Sequence, residues 1–247
     1  MADIELFSAV EDRKFSKQVS RQLLQAIVDG HYEPGGSLPS ERDLSAAFDT
    51  SRVVIREALS SLSAKGLISV RQGRSTTINP VNEWNTLDPE VLLLLYGDDV
   101  FPRLVEMRRI VEPGLAALAA ERATARELDS LREVAELPED DDIERHVDID
   151  TEFHLRIAEA AHNPVLLVTI SAVNPLLRES RRRTFVVAGE LPKARAWHKR
   201  IMEAIEKKDP DEARGVMAAH LDQVDDALSR YIGAEVDHRS ASGNEDG

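Results

Sequence analysis

The spacing of apolar residues between Pro39 and Gly66 constrains this chain more than any other feature, because it demands a short helix, a turn and a longer helix packed as one unit. Ser40 stands at the N-cap position of the first segment, which contains Glu41 to Phe48, and Ser51 stands likewise before the second. On a wheel of about 100° per residue, Ile55, Ala58, Leu59 and Leu62 fall on one side of the second helix. Arg52, Arg56, Ser60 and Ser63 occupy a face well separated from it, with the two arginines one turn apart near the helix start. An apolar stripe therefore backs a basic, hydroxyl-bearing one.

In a helix-turn-helix, side chains near the start of the second helix enter the major groove, where arginine binds guanine O6 and N7 with two hydrogen bonds. Arg52 and Arg56 are placed for that, and Arg42, at the start of the first helix, suits a phosphate or groove contact. A surface helix carrying two solvated arginines has the same wheel, so the wheel alone leaves both readings open. Beyond Gly66, Leu67-Ile68-Ser69-Val70 alternates, Arg71-Gln72-Gly73-Arg74-Ser75 makes a turn, and Thr76-Thr77-Ile78 is extended again. That pattern predicts a two-stranded wing whose tip either touches DNA or is a solvated hairpin.

The run Pro34-Gly35-Gly36-Ser37-Leu38-Pro39-Ser40-Glu41-Arg42, followed by Ser51-Arg52, Arg56-Glu57-Ala58-Leu59, Leu62 and Lys65-Gly66-Leu67, resembles the winged-helix N-terminal domain of the GntR family of bacterial transcription regulators. The similarity extends from Phe15 to Ile78. The candidate DNA-contacting residues are Arg42, Ser51, Arg52 and Arg56, and the resemblance adds the tip Gln72-Gly73-Arg74.

Charge distribution agrees with such a head. The net charge is −14, yet the first 79 residues carry 10 basic and 10 acidic side chains, so the acidic excess lies entirely in the remainder. Local rather than total charge sets phosphate affinity. There is no cysteine, which excludes disulfides and thiolate metal sites. No apolar run approaches the roughly 18 residues that suggest a membrane span, and the start Met1-Ala2-Asp3-Ile4-Glu5 is acidic, so a cytoplasmic protein with no membrane partner is expected.

The expected fold is mainly α, a winged helix-turn-helix domain followed by an all-α helical bundle. Residues 1–14 read as an N-terminal arm, 15–79 as the winged domain, 80–97 as a linker with the first helix of an effector domain, 98–233 as an effector-binding and dimerisation domain, and 234–247 as a disordered tail. Trp84 is expected to fasten the linker to the second domain. Helical patterns then run Pro89–Tyr96, Phe101–Arg122, Ala125–Leu137, Ile143–His162, Val165–Arg183, Pro192–Lys208 and Asp211–Ile232. The acidic interval Pro138 to Asp142 reads as a solvated loop before a helix start.

Within that bundle, Asp150 and His154 are spaced i, i+4 and project beside Phe153, Ile157 and Ala161. His198 shares a stripe with Ile201, Met202 and Ile205, and His220 one with Ala213, Met217, Val224 and Leu228. An inward-facing carboxylate needs a partner. Neutral imidazoles with one carboxylate suit a borderline divalent cation such as zinc, with nickel and manganese as alternatives. Singly, each histidine is as well explained as a hydrogen-bonded core residue; His146, one turn before Asp150, and His162, next to Asn163-Pro164, compete for the same role.

The segments Glu106 to Pro113 with Leu118-Ala119-Ala120, Asp150-Thr151-Glu152-Phe153-His154 with Asn163-Pro164, His198 through Ala204-Ile205, and Met217-Ala218-Ala219-His220-Leu221 resemble the FCD subfamily of GntR regulators. That resemblance implies metal-ligand roles for Asp150, His154, His198 and His220, and a small carboxylate effector held near the metal. Arg108, on a stripe with Leu104, Val111 and Leu115, is the candidate cation for that carboxylate; a salt bridge to Glu112 at i+4 is the plain alternative. The segment Trp84 to Leu92 looks like that of subfamily members governing sugar-acid catabolism, such as galactonate or gluconate regulators.

The expectation is a homodimeric repressor on a two-fold double-stranded DNA operator, answering to a sugar acid or another small organic acid, with no catalytic residues. Two alternatives differ in class. A metal-dependent hydrolase or lyase with a DNA-binding head would need a general base that the sequence does not display. An acyl-coenzyme A sensor, as in the founding member of the subfamily, would need a long apolar tunnel and no metal.

Overall fold

The computed structural model describes residues 12–70 and 75–242, and the chain divides into two units between Gly97 and Asp98. In the first, α1 (Asp12–Val28), α2 (Glu41–Ala47) and α3 (Arg52–Ala64) precede a ribbon of β1 (Ile68–Ser69) and β2 (Thr77–Ile78). Both short helices start on serine hydroxyls: Ser40 accepts from the Asp43 N–H at 3.2 Å and Ser51 from the Val54 N–H at 3.3 Å. The strands are antiparallel, with Ile68 opposite Ile78 and Ser69 opposite Thr77. Leu24, Ile27, Leu44, Ile55, Leu62 and Ile78 join in one buried core, with the apolar stripe of α3 facing inward and Arg52, Arg56, Ser60 and Ser63 exposed.

Residues 80–97, which the sequence pattern assigns to the second domain, belong instead to this first unit. Trp84 and Val91 are buried in its core, and the Trp84 indole N–H donates to the Asn79 carbonyl at 2.9 Å. Lys65 Nζ, at the end of α3, donates to both oxygens of Asp88 at 2.7 Å and lies 3.1 Å from Glu90 Oε2. Asp88 in turn caps α4 (Pro89–Tyr96). Gly66 permits the closest approach: its φ is +72°, and a Cβ there would lie 2.4 Å from the Glu83 carbonyl oxygen. The reason for the difference is that an apolar turn of helix docks on whichever core is nearest, which periodicity alone does not specify.

The second unit is built from α5 (Val100–Arg122), α6 (Ala125–Ala135), α7 (Ile143–Ala160), α8 (Pro164–Phe185), α9 (Glu190–Glu206) and α10 (Pro210–Ser242). Helix α10 lies along α5, while α7 packs against α5, α6 and α8, and α9 against α5, α6 and α10. Phe101, Leu115, Leu131, Phe153 and Ile157 are fully buried among them. His162, at a left-handed φ of 49°, ends α7, and Asn163 caps α8. The tail departs from expectation, since α10 continues to Ser242 without a break; Ala234-Glu235-Val236 contains no helix breaker to stop it. The rest of the expected tail, and the arm before Asp12, lie outside the described residues. Among the described residues, no helix is long and apolar enough to cross a membrane.

Candidate metal centre and nucleic-acid interface

Three helices of the second unit converge on one point. Helix α7 supplies Asp150 and His154 one turn apart, α9 supplies His198 and α10 supplies His220, all at most 5% exposed. One ligand atom from each lies within 4.8 Å of the other three. Phe153 stacks on His198 with ring centroids 4.2 Å apart, and the imidazoles of His154 and His220 stack at 5.4 Å.

The chemistry of this cluster fits a divalent cation. Both ring nitrogens of His220 and Nδ1 of His198 are buried without a hydrogen bond, a costly condition for polar atoms unless something else takes their lone pairs, and His198 Nε2 faces Asp150 Oδ1 at 3.0 Å. Burial pushes the His154 and His220 imidazoles below their ordinary range, which favours the neutral form that binds a metal. Burial would raise the Asp150 carboxyl, but His154, Arg181 and His198 around it hold it well below its ordinary value. Three nitrogen donors and one carboxylate are the set that zinc and its neighbours accept. Glu112 Oε2 lies 2.8 Å from His154 Nδ1, which orients that ring and leaves Nε2 turned to the cluster.

Two arginines stand beside the ligands. Arg108 is 1% exposed and its Nε donates to Glu112 Oε1 at 2.7 Å, so the i+4 salt bridge is present; its Nη2 also lies 3.4 Å from His154 Nε2. Arg181 Nε donates to Asp150 Oδ2, and its Nη1 is buried without a partner. Arg108, Asp150, Arg181 and His220 line a cavity together with Glu190 and Gln223. Its volume, measured as positions open to a water centre, is about 10 Å³, near the minimum for one water.

Sequence patterns brought the four ligands and Arg108 to this place but missed Arg181, Glu190 and Gln223. A signal existed for Arg181, which continues the stripe of Val173 and Leu177, and for Gln223, one turn after His220. The competing histidines lie elsewhere. His146 Nε2 contacts the Asp140 carbonyl at 2.7 Å, and His162 Nε2 is 2.9 Å from Glu127.

On the first unit, Arg52 and Arg56 project to solvent from the start of α3. Arg56 Nε donates to Glu41 Oε2 of α2 at 2.8 Å. Arg42 is exposed beside Asp43, and the Ser51 hydroxyl is engaged as a cap. Between the two arginines stands Val53, 66% exposed, an apolar side chain suited to a thymine methyl. Gln72, Gly73 and Arg74 lie outside the described residues.

Residues 15–78 match the family model described as bacterial regulatory proteins, gntR family, and residues 103–223 match the FCD domain. The chain is also 37% identical to the galactonate operon transcriptional repressor of Escherichia coli K12, over 77% of this chain and 86% of that one. This chain belongs to the GntR family. Its α3 thus lies within the gntR match, and the cluster of Asp150, His154, His198 and His220 lies within the FCD match. It is similar as well to the regulator LutR of Bacillus subtilis, 33% identical over 83% of this chain and 97% of that one. The Uxu operon transcriptional regulator of E. coli is 30% identical, with 91% of this chain and 90% of that one covered. These relatives are named as regulators, and this GntR member is a transcription regulator rather than a hydrolase or lyase. The fold is shared with the structure of Lar, which controls the Listeria monocytogenes agr system, at TM-score 0.59, 19% identity and coverage of 91% and 98%. A Pseudomonas syringae GntR regulator aligns at TM-score 0.52, 17% identity and coverage of 94% and 100%.

Proposed function

We propose that this GntR regulator is a homodimeric repressor of a two-fold operator, released when a small carboxylate, foremost a sugar acid, joins a divalent cation held by Asp150, His154, His198 and His220. The observation that carries this reading is a charge balance. Arg108 faces Glu112 and Arg181 faces Asp150, so the buried formal charges of these pairs already offset one another. A bound dication therefore leaves a buried positive excess, which an anionic ligand offsets. Arg108 and Arg181 offer that ligand planar donors.

A sugar acid is named first because the relative at 37% identity is named for galactonate; another small organic acid is second. Zinc is the leading metal, with nickel and manganese compatible with the same donors. Phe185, Ala194 and Val224 share the lining, but a cavity of about 10 Å³ beside buried arginine, aspartate and histidine is no tunnel for an acyl chain, which argues against the coenzyme A ligand. The cavity as it stands is too small for a sugar acid, so binding must displace its wall, and differential affinity for open and closed walls is what lets the ligand shift the molecule between states. The DNA-reading head is assigned to residues 15–79, with Arg42, Ser51, Arg52, Arg56, Gln72, Gly73 and Arg74 at the duplex. The FCD unit from residue 98 to 233 holds effector and dimer contacts, and the protein acts in the cytoplasm.

The deciding experiment is metal analysis of protein purified without chelator, followed by thermal shifts against sugar acids and small dicarboxylates with and without chelator. A stoichiometric divalent ion and a chelator-sensitive shift for one acid are expected, and His198→Ala or His220→Ala should lower metal content while sparing DNA binding. Metal-free protein that no acid stabilises would sink the effector reading.

A further inference from the structure

The amide of Gln223 has only one usable orientation. Glu190, 1% exposed, opens α9 directly after Gly189, whose φ of 82° turns the chain. Its Oε1 accepts from Lys193 Nζ at 2.9 Å and from Arg230, and its Oε2 accepts from Gln223 Nε2. An ionised carboxylate only accepts hydrogen bonds, so the Gln223 NH₂ must face Glu190. The carbonyl Oε1 of Gln223 is then left buried without a partner, on a residue that lines the cavity beside the metal ligands. Across the same lining, Arg181 Nη1 is a buried donor without a partner. The lining therefore holds one unpartnered donor, and one unpartnered acceptor that only a hydroxyl or N–H can satisfy.

We propose that Gln223 reads a hydroxyl of the effector, with Glu190 as the positioning residue that locks its amide, so that the site selects hydroxylated monocarboxylic acids of the aldonic type. This rests on the carboxylate-effector reading above. An unhydroxylated acid leaves Gln223 Oε1 unpaired in a dry site, and a site built to bind a hydroxyl rejects analogues lacking it. An aldaric acid fares no better, because its second carboxylate has only acceptors to set against the Gln223 carbonyl and Glu190.

The test uses calorimetry on the full-length, metal-loaded protein with gluconate, galactonate and mannonate, each compared with hexanoate and with glucarate. The best aldonate should bind at least about tenfold tighter than either comparison acid. Glu190→Gln lets the Gln223 amide turn and should shrink that preference to within about threefold, with metal content unchanged. Gln223→Met, which keeps the volume but removes the acceptor, should do the same and guards against a Glu190 variant that fails to fold. Metal-dependent binding of all these acids without preference, or a preference that survives both variants, would overturn the hydroxyl assignment and leave the carboxylate reading intact. No binding by any acid would bring down both.

Discussion

Arg56 is tied by Nε to Glu41, while 66% of its side chain remains exposed. An exposed ion pair adds little stability, but it restricts the rotamers open to the guanidinium, so if Arg56 reads a base edge, Glu41 bears on reading rather than on folding. Arg52→Ala or Arg56→Ala should weaken specific operator binding by about 1–3 kcal/mol and leave the oligomeric state unchanged, whereas Glu41→Gln should cost only a few-fold. Fluorescence anisotropy on operator and unrelated duplexes separates the two effects; an unchanged ratio of specific to nonspecific affinity would remove these residues from readout. At this scale much was legible beforehand. The four metal-ligand candidates and the exposed arginines of α3 follow from helical periodicity, because a wheel reports which side chains share a face. Arg181 did not stand out, because it opens the run Arg181-Arg182-Arg183, which reads as solvated surface, and only packing shows that the first turns inward while its neighbours stay half-buried. Glu190 and Gln223 owe their roles to each other across 33 residues, a pairing that no local pattern carries.

The segment after the winged ribbon is held by the core of the first unit. Residues 80–96 are not a slack linker: Asn85 N–H donates to the Lys65 carbonyl at 2.8 Å, Trp84 is in the core, and Lys65 grips the cap of α4. Gly66→Ala tests this, since it combines a strained left-handed alanine with the clash at Glu83. It should destabilise the head by roughly 2–4 kcal/mol, visible as a lower melting temperature and weaker operator binding. A change under about 0.5 kcal/mol would mean that the segment is loosely held after all. A second element bears on acid stability. Thr124 and Glu127 cap α6 reciprocally, and the Thr124 backbone N–H, helped by the Thr124 hydroxyl and His162, brings the Glu127 carboxyl from 4.5 to about 2. A depressed carboxyl stabilises the fold fully above its unfolded value and loses that contribution as pH falls toward the folded one. Glu127→Gln should therefore lower stability by about 0.5–1 kcal/mol at pH 7, and its gap from the parent should close as pH drops through 4.5 toward 2. A gap equally wide at pH 3 would mean that the clasp does not depend on ionisation.

For the whole molecule, a sensor after Asp98 and a recognition helix ending at Ala64 influence each other only through states that both can bias. If the metal-assisted acid weakens operator binding by some factor, typically about 5–150-fold, linkage requires operator to weaken acid binding by the same factor. The net charge of −14 resides outside the head, so this coupling should persist when salt is adjusted to keep operator affinity measurable, whereas a simple electrostatic competition between anion and DNA for exposed arginines would fade as salt rises. The measurement is calorimetric titration of the acid into metal-loaded protein with and without saturating operator, paired with operator titrations with and without acid. Equal factors that vanish together on adding chelator are expected. A coupling that survives chelator and fades as salt rises would show that the acid acts on DNA binding by occupying the reading face itself, and factors of one in both directions would separate the buried site from transcriptional control.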